Sequence, residues 1–166
     1  SVGEESDTER STYLATLLLY FEEEIMGEAY FYGLAQHHEN ADHRAKLEVM
    51  AEVERFAAES IRPLIEKYDL QPRSDAELVS IGKTWIERHA DTDWDVLMAD
   101  ISVRYYDYLD EFYALEAMAP AEDLRALDIL TKHEVAAIVF ALKEVAGDAD
   151  SLVPLRRYMS SNSKSG

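Results

Sequence analysis

Along most of this chain, apolar residues recur at alternating steps of four and three, the spacing of one face of an α-helix. Helix A is expected from about 9 to 38, with Leu14, Leu18, Phe21, Ile25, Tyr32 and Ala35 on its stripe and Glu28 among them. Helix B, about 42 to 69, carries Leu47, Met50, Ala57, Ile61, Leu64 and Tyr68, again with a carboxylate, Glu54, in the row. Helix C, about 92 to 119, reads Trp94, Met98, Ile101, Tyr105, Tyr108, Phe112 and Leu115. Pro120 opens helix D and Gly147 is placed to end it; its row is Leu127, Leu130, Glu134, Ala137, Ala141 and Val145. No segment alternates with a period of two, so the class is all-α.

Punctuation residues join these helices into a topology. Asn40 or Asp42 can cap helix B, and Asp91 or Thr92 helix C. Pro63 is expected to kink helix B. Ser74 and Glu77 have capping-box spacing, which predicts a short helix over about 75 to 89. The A–B and C–D turns are short, whereas the B–C link can cross the roughly 40 Å length of such helices at about 1.5 Å per residue. Two antiparallel hairpins and a long crossover make a four-helix bundle over residues 1–150. Residues 151–166, ending in SSNSKSG, read as a tail.

Composition narrows what such a bundle can do. Sixteen basic against 34 acidic side chains give a net charge of −18, which disfavours phosphate backbones and anionic lipid as partners. The absence of cysteine removes disulfides and thiolate chemistry. The first ten residues, SVGEESDTER, do not read as a secretory leader, and no apolar run approaches membrane-spanning length, so a cytoplasmic protein is expected.

A shift of 80 residues lays the second hairpin on the first without a gap: Met50 meets Leu130, Glu54 meets Glu134, and Ala57 meets Ala137. Glu54 and Glu134 then face each other at equal depth, with Glu28 in the same layer and Tyr108 as its counterpart on helix C. Carboxylates that converge in an apolar layer repel one another unless a cation lies between them, and hard oxygen donors suit iron or manganese.

The segments GEAYFYGLAQ, MAEVERFAAE and LTKHEVAAIVF resemble the ferritin-like superfamily, and within it the rubrerythrin-like branch, over residues 10–146. The resemblance implies a di-iron site with one Glu from each of helices A and C and a Glu-x-x-His from each of helices B and D. It also implies oxidation of iron or an organic substrate, or handling of oxygen or peroxide. Glu28, Glu54 and Glu134 match family ligand positions, but both His positions hold alanine, Ala57 and Ala137, and the helix C Glu position holds Tyr108. Tyr108 or Glu111 would complete the metal set.

Other candidates have plainer readings. His133, one residue before Glu134, is expected at the surface; His37, His38 and His43 are expected to cap helix ends at the A–B turn. The ten tyrosines read mainly as core residues with a hydrogen-bonded tip, and alternatively as the lining of a small-molecule cavity, as phenolate ligands of ferric iron or as carriers of oxidising equivalents. Two functions stay open. One is a carboxylate-rich iron site acting as an oxidoreductase on oxygen, peroxide or a small molecule. The other is a metal-free bundle that binds a partner or a small apolar ligand. Either leaves room for a homodimer.

Overall fold

Each long segment with the four-and-three spacing forms a helix in the computed structural model, which describes residues 2–163. Six α-helices follow in order: α1 (Val2–His37), α2 (Ala41–Lys67), α3 (Asp75–Thr84), α4 (Trp94–Met118), α5 (Leu124–Val145) and α6 (Val153–Asn162). Short 3-10 turns at Ile86–Arg88 and Ala121–Asp123 precede α4 and α5, and there is no strand among the described residues. The chain is therefore all-α. No described helix is long and apolar enough to cross a membrane.

The ends of the helices follow local chemistry. The Asn40 side chain accepts hydrogen bonds from the Asp42 and His43 amides at the start of α2, and Ser74 accepts from the Glu77 amide at the start of α3. Gly147, at φ +71°, closes α5, with its amide bonded to Glu144 and the next amide to Lys143. Asp69 does the same after α2 at φ 51°, without a glycine. At α4, Asp93 is the N-cap rather than Asp91 or Thr92. Of the A–B histidines, His37 lies in the last turn of α1, a helix-end position, whereas the cap of α2 is Asn40 rather than His38 or His43. His43 stacks on Trp94 at 4.0 Å between ring centres, and His38 packs edge-on against the same indole at 5.6 Å.

α1 packs along α2 and α4 along α5; α2 and α5 join these pairs, while α1 and α4 touch only sparingly. The crossover lies on α1. A side chain at Gly82 would meet the Met26 carbonyl oxygen at 2.2 Å, so only glycine allows α3 this close to the α1 backbone. The expected tail is largely helical instead. α6 packs on α5 and α2 through the buried Leu155 and Tyr158, and the Tyr158 hydroxyl donates to the Ile129 carbonyl at 2.9 Å. The last three residues of SSNSKSG lie outside the described residues.

Asp123, fully buried in the turn before α5, ties three elements together. It accepts hydrogen bonds from the Tyr13 hydroxyl at 2.8 Å, from Lys67 Nζ at 2.7 Å, and from the Tyr68 hydroxyl. Burial pushes its carboxyl up, but Lys67, Tyr68 and Tyr13 more than reverse this and hold it below the ordinary range. A depressed folded pKa contributes stability that is complete above the unfolded value, about 3.9, and is lost as pH falls through the folded value. Asp123→Ala should lower stability at neutral pH by on the order of 2 kcal/mol by leaving the Tyr13 hydroxyl unpaired. Asp123→Asn should flatten the acid limb of the melting-temperature profile; an unchanged limb would show that this carboxylate is not an acid-sensitive tie.

Candidate metal centre

The carboxylate on α1 that enters the helical interior is Glu24. Its row runs Tyr13, Leu17, Tyr20, Glu24, Phe31 and Leu34, all buried, one residue away from the expected stripe. Glu28 instead turns to Arg55, whose Nη2 lies 2.8 Å and Nε 3.1 Å from the carboxylate. This corrects the sequence expectation. α1 is apolar on more than one side because α2 and α3 both pack along it and α4 touches it, so its periodicity does not single out one face.

Glu54 projects from α2 into the same layer, and Gly27 makes room for it. A Cβ at Gly27 would lie 3.0 Å from Glu54 Oε1. From α5 come two side chains. Glu134 is buried as expected, whereas His133 is buried rather than at the surface, with 1% of its area exposed. Phe112 packs against its ring at 5.4 Å, and α6 covers the face of α5 that carries Ile129 and Ala136.

His133 Nε2 lies 2.8 Å from Glu24 Oε2, 3.1 Å from Glu54 Oε2 and 4.0 Å from Glu134 Oε1. Glu24, Glu54 and His133 each offer a donor atom, and the three lie within 4.8 Å of one another. The Nδ1 atom bonds to the Leu130 carbonyl, which can only accept, so Nδ1 carries a hydrogen. In the neutral ring Nε2 then presents a lone pair to two carboxylates. Both Oε2 atoms are buried without a hydrogen-bond partner. Such a layer is satisfied by positive charge, either a proton on Nε2 or a cation among the three donors.

Titration reflects the same crowding. Burial and the Glu54 charge raise Glu24 well above the ordinary range, against the pull of His133. Burial also raises Glu134, to about 8. Glu54 is held low despite burial by its contacts with Glu24 and His133. His133 is lifted well above its usual value, because the Glu24 charge and the contacts with both carboxylates outweigh burial.

The other expected ligands lie apart from this group. Tyr108 is 43% exposed, and Glu111, also exposed, accepts a hydrogen bond from the Tyr20 hydroxyl at the rim. Ala57 and Ala137 are buried and carry no donor. The residues present thus fit one cation rather than the two irons of the resemblance. Beside them opens a cavity of about 210 Å³, with Tyr20, Tyr30, Tyr105 and Phe112 among its walls, together with Glu24, Glu54 and Glu134.

Comparison with known protein families, curated proteins and solved structures finds no match for this chain. The reading of the centre therefore rests on its geometry.

The altered place of Glu28 gives a direct check. A double-mutant cycle on Glu28→Ala and Arg55→Ala should return a coupling of up to about 1 kcal/mol. Zero coupling would detach Glu28 from Arg55 and return it to the candidate ligands.

Proposed function

We propose that this chain is a ferritin-like four-helix bundle that holds one redox-capable cation, iron foremost, between Glu24, Glu54 and His133. Its activity would be oxidation of a small molecule or handling of oxygen or peroxide. The observation that carries this reading is the pair of buried, unpartnered Oε2 atoms facing one imidazole nitrogen. Long helices α1, α2, α4 and α5 joined by a crossover favour the bundle class. The mixed nitrogen and oxygen donors favour iron or manganese over magnesium or calcium.

The chain's own residues would divide the work. Glu24 and Glu54 supply anionic oxygen; His133 supplies a neutral nitrogen whose tautomer the Leu130 carbonyl fixes. Glu134, at 4.0 Å from Nε2, stands as a further oxygen or as a proton carrier beside the layer. Phe112 and Tyr158 keep bulk water from the ring side. A bound iron would supply one-electron chemistry to oxygen, peroxide or a substrate in the cavity.

A metal-free bundle with a small apolar ligand in the cavity is the second reading. It is favoured by the lifted His133 pKa, since an imidazolium would itself satisfy the two carboxylates.

Metal content and melting separate the two readings. Protein purified without chelator or polyhistidine tag should carry iron or manganese, and added Mn²⁺ or anaerobic Fe²⁺ should raise its melting temperature. At a hundredfold excess over Kd the gain should approach about 2.7 kcal/mol. Glu54→Gln and His133→Ala should abolish the shift, while Glu28→Gln keeps it. Absence of any cation-dependent shift in the wild type overturns the metal reading.

A further inference from the structure

The cavity beside the carboxylate–histidine layer is lined by charges of both signs. Glu23, Glu24, Glu54 and Glu134 line it together with Arg88, His89, Arg104 and Asp100, and the last four stand near one another, since Arg104, Asp100 and Arg88 are the charges that act on His89. Tyr30 joins them, its hydroxyl 2.8 Å from His89 Nδ1. Tyr105 stands nearest the Glu54 and Glu134 charges. Aromatic side chains in mutual contact make up much of its lining: Tyr105 against Tyr108 at 5.7 Å, Tyr30 against Trp85 at 6.4 Å, and Tyr20 against Phe112 at 4.6 Å between ring centres.

Two arginines at one mouth stand out in a chain with 16 basic and 34 acidic side chains. Arg104 is partnered by Asp100 at 3.0 Å, whereas Arg88 has no ion pair among the described residues. A mouth of this kind suits an anion, and the glutamates oppose one, so an anionic group would settle at the arginines and point its apolar part inward. The volume of about 210 Å³ lies below the roughly 300–1,000 Å³ usual for drug-sized ligands, which favours a single ring over a fused system. The many aromatic side chains in its lining favour that ring over a flexible alkyl chain.

We infer that this cavity binds a small monocyclic aromatic carboxylate, with its carboxylate at Arg88 and Arg104 and its ring directed toward the Glu24–Glu54–His133 layer. This names a substrate class for the site proposed above and rests on that reading for its chemistry; the binding itself needs only the cavity. The test compares phenylacetate with the neutral phenol and the cationic benzylamine by calorimetry on chelator-treated full-length protein.

Phenylacetate should bind with one site per chain and more tightly than either comparator. The double variant Arg88→Gln/Arg104→Gln should weaken it roughly tenfold or more, the order expected for charge-assisted hydrogen bonds to an anion. Arg88→Lys/Arg104→Lys should retain much of the affinity, and circular dichroism should show both variants folded, since each side chain lies at the surface. Absence of phenylacetate binding, tighter binding of benzylamine, or an unchanged affinity in the glutamine variant overturns the inference. A parallel Mn²⁺ titration keeps the two proposals apart. If phenylacetate binds and Mn²⁺ does not, only the metal reading falls; if Mn²⁺ binds and phenylacetate does not, only the ligand class falls.

Discussion

Three helices bring Glu24, Glu54 and Glu134 into one layer of a largely apolar interior, and those carboxylates cannot share that layer as free anions. Positive charge must reach them, or protons must stay on them. Neighbouring features serve this requirement. Gly27 leaves room for the Glu54 head group, α5 delivers an imidazole from the residue beside Glu134, and α6 closes the side from which water would reach that ring.

Buried acids elsewhere in the molecule are handled differently. Glu22 takes the Arg73 amide at 2.7 Å and its guanidinium at 3.0 Å; Glu144 takes Lys46 at 2.8 Å and the Trp94 indole at 2.8 Å. In both, burial pushes the carboxyl up and a dedicated partner brings it below the ordinary range. Glu24 and Glu134 finish above it, and no Lys or Arg reaches either within ion-pair distance among the described residues. The chain does place cationic side chains beside structural carboxylates. Their absence from the layer leaves one imidazole among three acids, a group that could hold a metal ion.

Much of this was legible in the residue pattern, and the failures have physical causes. Helices, caps and the long crossover followed from spacing and from Asn40, Ser74 and Gly147. Glu54 and Glu134 were legible because α2 and α5 show clear apolar rows through them. Glu28 was favoured over Glu24 because α1 is enclosed by several helices, so two adjacent rows both read as buried. The signal for the correct one was present: Tyr13, Leu17, Tyr20, Phe31 and Leu34 keep the four-and-three rhythm through Glu24 and Gly27. His133 reads as a surface residue because one step along a helix turns it about 100° from Glu134 and its apolar row. With α6 packed on α5, His133, Ala136 and Phe140, each one step before the row, are buried, while Val135 and Leu142, one step after it, stay exposed.

The Nδ1 bond from His133 to the Leu130 carbonyl has an evolutionary reach as well as a geometric one. A metal-facing imidazole oriented by another side chain can be retuned whenever that second residue drifts. Here the orienting partner is main chain of the same helix, present whatever residue occupies position 130. Sequence change can remove the imidazole or reshape its surroundings, but it has no simple way to swap which nitrogen faces the carboxylates. That choice is inherited with the helix itself.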